Sequence, residues 1–212
     1  MCVKLGKFRF IVAGLCKIFI LLCLRANLHL LIRESCIVLK SYGEHSKNRL
    51  LKTLFIIRHA KSDQSFFGND FERPLNGRGK ADAPMMAKRL LDKKFKIAAL
   101  VSSPAVRAKQ TAELFAKTIT MPAEEIIFIS ALYHAATEVF YEVITALPDN
   151  YNSVAVFSHN PGISHFVNSL NTKAQIDNMF TCSIFAIEAD ITHWSEFNKA
   201  KKAFLFFDYP KK

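Results

Sequence analysis

Along residues 51–212 the apolar and polar positions fall in ordered blocks. Thr53 to Ile57 is a short apolar run, too brief for a helix before the next break, and it predicts a buried strand. A polar stretch over 62–79, holding Gly68, Pro74, Gly77 and Gly79, predicts a loop. Residues 80–94 then set Ala83, Ala87 and Leu91 in one column with Met86 and Leu90 beside it, the spacing of an amphipathic helix. The alternation repeats. A strand is predicted at 97–101, and a helix from Ala105 to Thr118 with Ala108, Ala112, Phe115 and Ile119 on one face. A strand at 125–129, a helix marked by Val139, Val143, Ile144 and Leu147, a strand at 153–157 and a helix from about Gly162 follow. Cys182 to Ile187 and Ala203 to Phe207 predict two last strands around a turn containing Trp194.

Strands that alternate with helices in this way predict an α/β fold: a three-layer α/β/α sandwich on a mostly parallel central sheet, with right-handed crossovers. Such sheets bind ligands beyond the carboxyl ends of their strands. Three of those ends carry polar residues: Arg58-His59 after the first strand, Ser102-Ser103 ahead of Arg107 after the second, and Ser158-His159-Asn160 after the fourth. They predict a single crevice.

The first fifty residues follow a different pattern. Residues 10–24 read FIVAGLCKIFILLCL, an apolar run interrupted by Lys17, with Lys4, Lys7 and Arg9 ahead of it. A spanning helix takes about 20 largely apolar residues, so this run is short for one. It has the basic start and apolar middle of a secretory signal but no good small-x-small cleavage site. The composition changes near residue 50, and Leu51 stands where an initiator could. Residues 1–50 are therefore read as an N-terminal extension, either upstream sequence placed in frame by a misplaced start or a membrane anchor or signal. Residues 51–212 are read as the functional domain.

Charge supports the same division. The chain carries +11, but residues 1–50 hold nine Lys/Arg against two Glu, which leaves only +4 on the rest. A mildly basic body gives little support to nucleic-acid binding, and the membrane enters only through residues 1–50. Four of the five cysteines lie in the extension, and Cys182, alone in the body, reads as a buried, inert thiol in an apolar strand. No CxxC or Cys/His ligand spacing suggests zinc. One cysteine in the body suits a reducing, cytoplasmic setting, with membrane anchoring through the extension as the alternative.

Two histidines and two arginines converging on one crevice make an electropositive pocket. The guanidinium fork matches phosphate or carboxylate oxygens, and imidazole can serve as nucleophile, acid or base near neutrality. Helix N-termini near Ala105 and Gly162 add backbone N–H donors. The expected guest is a phosphoryl group.

The blocks RHAKS, SSPAVRAKQTAELF and FSHNPGIS resemble the signatures of the histidine phosphatase superfamily, the group that includes phosphoglycerate mutases. RHAKSD, DFERPLNGRGKADA and SHNPGIS are most similar to its short SixA-type phosphohistidine phosphatases. The resemblance spans about residues 52–210 and implies a phosphoglycerate mutase-like fold with no cofactor and no metal. It implies His59 as the nucleophile, Arg58 and Arg107 as phosphate clamps, and His159 as the second pocket histidine. Lys61, Ser62 and Asn160 are further candidates for substrate contact.

The departures from the family pattern carry information too. Phosphomonoester-cleaving members place a carboxylic acid near the end of the third strand, where this chain reads SALYHAATEVF; Glu138 falls in the following helix. A phosphohistidine leaves as imidazole, conjugate acid pKa ~6.5, without a dedicated acid. The gap therefore favours protein phosphohistidine, on a phosphotransfer domain or carrier, over a small phosphorylated substrate. His134 is the alternative donor. Ser65 stands where many relatives have a phosphate-contacting Asn. Arg73 reads as a loop salt bridge that could reach the pocket rim, His165 as an ordinary residue, and Phe66-Phe67 as a pocket mouth or a loop anchor. The rival readings are a small-molecule phosphomonoesterase, a phosphate-binding module without turnover, and a site in which His59 and His159 ligate a metal.

Overall fold

The structure, a computed structural model, describes residues 51–211. The expectations for residues 1–50 lie outside the described residues. Among those described, no helix is long and apolar enough to cross a membrane.

Six strands form one sheet: β1 (Lys52–Arg58), β2 (Ala99–Ser102), β3 (Ile127–Phe128), β4 (Ser153–Ser158), β5 (Ile184–Ala189) and β6 (Lys202–Asp208). Their order is β3-β2-β4-β1-β5-β6. The first four run parallel, and β5 and β6 add an antiparallel edge. The helices α1 (Gly77–Asp92) and α2 (Val106–Ile119) cover one face, while α3 (Thr137–Thr145) and α4 (Gly162–Ser169) cover the other. A strand with helices on both faces buries alternate residues in two separate cores. Leu54 and Ile56 of β1 enter the core with Phe140, Phe166 and Trp194, and Phe55 and Ile57 enter the core with Met86, Leu90 and Phe115. This is the three-layer, mostly parallel sandwich that the pattern predicts.

The departures from the predicted elements have local causes. The helix predicted to start at residue 80 begins at Gly77, because the Asn76 side chain caps it by accepting from the Gly79 N–H at 2.9 Å. Its buried stripe is Ala83, Met86, Ala87 and Leu90, while Leu91 is 42 % exposed. The strand predicted at 125–129 shrinks to Ile127–Phe128 between two 3-10 turns at an edge of the sheet. The third helix ends at Thr145 and buries Phe140 and Ile144. Cys182 precedes β5 in a left-handed turn, where its N–H donates to the carbonyls of Arg58 and His59, each at 3.1 Å. Its thiol is fully buried, and burial pushes its pKa up, so it stays protonated. Phe55 and Phe157 are core residues, whereas Phe206 and Phe207 on the edge strand β6 are half-buried.

Candidate active site

Parallel pairing puts the chemistry in one place. Arg58 is the register partner of Ser158, so the residues that follow, His59 and His159, leave neighbouring strands side by side. Their ring centroids lie 5.1 Å apart. β2 ends on the other side of β4 and leads through Ser103 into α2, whose first turn carries Arg107. The pocket so formed has a volume of about 340 Å³ and is lined by Arg58, His59, Arg107 and His159 together with Lys61, Ser62, Gln64, Asp70, Arg73, His134, Asn160 and Thr181. All seven residues singled out for catalysis or substrate contact thus reach it.

The hydrogen bonds fix the tautomer of His59. Its Nδ1 lies 2.8 Å from the Ala60 carbonyl oxygen, an acceptor only, so Nδ1 carries the proton. Nε2 then presents its lone pair, and the Arg107 Nε–H donates to it at 3.3 Å. Burial, opposed by the Ala60 carbonyl and reinforced by Arg107, Arg58 and Arg73, lowers the His59 pKa to about 3. The ring is neutral at physiological pH. The turn is braced by Thr111, whose hydroxyl accepts from the Ala60 N–H at 3.0 Å and donates to the Arg107 carbonyl at 2.7 Å.

His159 Nε2 lies 2.8 Å from the Ser103 hydroxyl. Burial first, then repulsion from His59 and Arg107, lowers its pKa to about 2, so it too is neutral. With both rings neutral, the positive charge that faces this pocket comes from its guanidiniums and Lys61. Among the described residues, three buried side-chain nitrogens have no hydrogen-bond partner: Arg58 Nε, Arg73 Nε and His159 Nδ1. All three belong to pocket residues. Buried polar atoms are normally paired, so this grouping marks a place built for an anion.

Asp70, which the sequence reasoning missed, is the carboxylate of this pocket. It sits in a 3-10 turn, Asp70–Glu72, within the stretch predicted as plain loop. Its side chain pairs with Arg107 at 2.8 Å and with Arg73 at 2.6 Å, and accepts from the Tyr133 hydroxyl at 3.1 Å; His134 Nε2 is 3.9 Å away. Partial burial raises its pKa, but Arg107, Tyr133 and Arg73 outweigh that and hold it below the usual carboxylate range. The visible signal was slight: an acid three residues ahead of Arg73, in a turn leading to the pocket.

The other candidates separate clearly. Lys61 and Ser62 line the pocket, but the Asn160 amide is spent on Asn178 and, at 3.1 Å, on the Met179 carbonyl. Arg73 both pairs in its loop and reaches the pocket. His134 is exposed on the rim, held there by a close approach in which a Cβ on Gly162 would lie 1.8 Å from the Ala135 carbonyl. Ser65 is exposed and bonded to Asp63, and neither it, His165 nor Glu138 lines the pocket. Phe67 is 99 % exposed and packs on nothing. Among the described residues, no three His, Cys, Asp or Glu side chains gather as a metal-ligand set.

Residues 54–127 match the family model of the histidine phosphatase superfamily (branch 1). No curated protein sequence matches the chain. Among solved structures, the protein histidine phosphatase SixA in complex with tungstate is 25 % identical with a TM-score of 0.64, over 75 % of this chain and 97 % of its own. A mycobacterial glucosyl-3-phosphoglycerate phosphatase shares the fold at 15 % identity and a TM-score of 0.52, over 75 % of this chain and 98 % of its own. The phosphoglycerate mutase of Plasmodium falciparum does so at 18 % and 0.51, over 74 % of this chain and 90 % of its own.

Proposed function

On the premise that this is a histidine phosphatase superfamily domain, we propose a phosphatase that takes a phosphoryl group from protein phosphohistidine onto His59 and passes it to water, without cofactor or metal. The observation that carries the reading is the state of His59: a neutral imidazole whose lone pair is on Nε2, where it accepts from the Arg107 Nε–H.

The steps follow from that geometry. A phosphoryl dianion enters between Arg58 and Arg107, takes up the unpaired Arg58 Nε–H and shares Arg107 with Asp70. His59 Nε2 forms a bond to phosphorus as the bond to the substrate nitrogen breaks. The departing ring leaves as neutral imidazole if its other nitrogen is protonated, which happens near pH 6.5. Water then attacks phosphorus, the bond to His59 breaks, and inorganic phosphate leaves. Positioned cations stabilise the spread charge of each transition state, and the covalent route divides one displacement into two easier ones.

Asp70 bears on the substrate. No carboxylate from the segment after β3 lines the pocket, and Asp70, the acid the pocket does hold, is ionised and tied to two arginines, so it offers no proton in the free pocket. A leaving group that needs no proton donor fits that state. A second reading, a phosphomonoesterase, is favoured by the same residue: a bound dianion beside Asp70 raises its pKa and turns it toward proton donation. The test is phosphate release without added metal, with and without chelator, from a phosphohistidine-bearing carrier protein and from small phosphomonoesters. Release from phosphohistidine alone, lost in His59→Ala, supports the first reading. Equal or faster phosphomonoester turnover supports the second. A His59→Ala variant whose wild-type parent binds phosphate but turns nothing over points to a binding module.

A further inference from the structure

Beside the phosphoryl pocket lies a second groove of about 420 Å³ that no step above uses. Arg58, Lys61, Arg78 and Lys211 line it with the rings of Phe180 and Tyr209, and no Asp or Glu is among its lining residues. Arg58, Lys61 and Thr181 line both cavities, so the two adjoin.

The fold places these cations deliberately. The Asn76 N–H donates to the Lys61 carbonyl at 3.0 Å, and Gly79 packs so closely on the same carbonyl that a Cβ there would lie 2.1 Å from it. Only glycine allows that approach, and it fixes the first turn of α1, with Arg78, against Lys61. Arg78 gives its Nε to Asp82 at 3.2 Å in an exposed pair, which leaves its terminal nitrogens for another partner. Phe180 is 49 % exposed yet held in place, 4.9 Å from Tyr209 and 6.5 Å from Phe207 between ring centroids. Like charges gathered beside a firm aromatic wall are relieved by an anion whose apolar stem lies along that wall.

We infer that this groove is a second anion subsite, which binds acidic side chains flanking the phosphohistidine of a protein substrate. The inference rests on the phosphohistidine reading above. A second phosphate on a small molecule suits the groove less well. Donors for one phosphate converge on a point, as they do in the first pocket; here they are spread over β1, α1 and the segment after β6, with aromatic surface between.

The full 212-residue chain is assayed on two phosphohistidine peptides that differ only in flanking residues, Glu in one and Gln in the other. The expected kcat/KM ratio favours Glu by about tenfold at low salt, the scale of two or three exposed charge pairs. It falls toward one in Arg78→Glu and persists in Lys201→Glu, the same charge change at the opposite end of the sheet, where Ala189 of β5 pairs with Lys52. A wild-type ratio near one overturns the inference. So does an equal loss in Lys201→Glu, which would mean a long-range field in place of a subsite. A small bisphosphate that competes at far lower concentration than the Glu peptide would give the groove to a second phosphate. If neither peptide is turned over, the phosphohistidine reading fails. Binding of the unphosphorylated Glu peptide, by fluorescence anisotropy against its Gln counterpart and against Arg78→Glu, then decides the subsite alone.

Discussion

Strand β1 begins and ends on a cation, and the two ends are treated in opposite ways. At its start Lys52 is 1 % exposed, and its ammonium donates to the Asp149 carbonyl at 2.5 Å, the Asn152 side-chain oxygen at 2.9 Å and the Tyr151 carbonyl at 3.3 Å. Three donors meet three acceptors, and the Trp194 ring covers the group at 5.8 Å. At its end Arg58 gives one N–H to the Met179 carbonyl at 2.7 Å, while its buried Nε has no partner. Burial, and Arg107 beside it, lower its pKa, a cost that no protein anion offsets. A structural cation is one the chain has saturated. A binding cation is one the chain has desolvated and left short of acceptors.

The largest effect that tests this contrast belongs to the neighbour of Arg58. His59→Ala removes the group that bonds phosphorus, and phosphate release from phosphohistidine is expected to fall about 10⁴-fold or more. Labelled phosphate should be trapped on the wild-type chain as an acid-labile adduct and be missing from the variant. An adduct that survives the substitution sinks His59 as nucleophile. Next come the two ends compared directly. Arg58→Ala is expected to lower kcat/KM by about 10²–10³ with little change in Tm. Lys52→Met should do the reverse: kcat/KM holds, while the Asp149 carbonyl and the Asn152 side-chain oxygen lose their donor and urea unfolding shows a loss of about 3 kcal/mol. Both variants losing the same property would end the distinction.

A smaller effect concerns both pocket histidines. Their folded pKa values, about 3 for His59 and about 2 for His159, lie below the unfolded value of ~6.5. The unfolded chain therefore binds more protons as the pH falls. The stability these groups allow is fully present above about pH 6.5 and is lost progressively below it, by about 2 kcal/mol for each at pH 5. Denaturant unfolding from pH 7.5 to pH 5 should show the loss, and His159→Gln should remove one share of it. A flat profile would mean that the rings are charged or solvated in the fold.

The quartet Arg58, His59, Arg107 and His159 is legible in the sequence because each residue stands one or two steps beyond an apolar run or in the first turn of a helix, where polarity reverses sharply. The sheet order is less so: nothing in the linear pattern makes β1 and β4 neighbours, and that pairing is what sets His59 beside His159. Lys52 was hidden by its own context, a lysine ahead of an apolar run that reads as a solvated strand entry. Strand β3 misled because an apolar run at a sheet edge can satisfy its backbone in 3-10 turns as readily as in a ladder. Asp70 and Tyr133 were illegible for a further reason. They meet across 63 residues, in turns with no periodicity, and only the closed fold brings their oxygens to 3.1 Å.

Asp70 sharpens the comparison further, because it is the nearest thing in the pocket to the acceptors that Lys52 enjoys. It saturates part of Arg107 and Arg73 but leaves Arg58 alone, and it is itself half-exposed, at 45 % of its side chain. A phosphoryl dianion must share or displace it. Asp70→Asn keeps the shape and removes the charge, so inorganic phosphate should inhibit the variant at about fivefold lower concentration, the scale of one exposed charge pair. On phosphohistidine, kcat should stay within about threefold, since that leaving group needs no proton from Asp70. On a phosphomonoester, kcat should fall by tenfold or more if the bound dianion recruits Asp70 as its acid. Equal losses on both substrates would place Asp70 in the transfer step itself, as a positioning group for Arg107. Unchanged inhibition by phosphate would mean that the carboxylate never occupies the anion's place, and that Arg107, like Lys52, is already saturated when the substrate arrives.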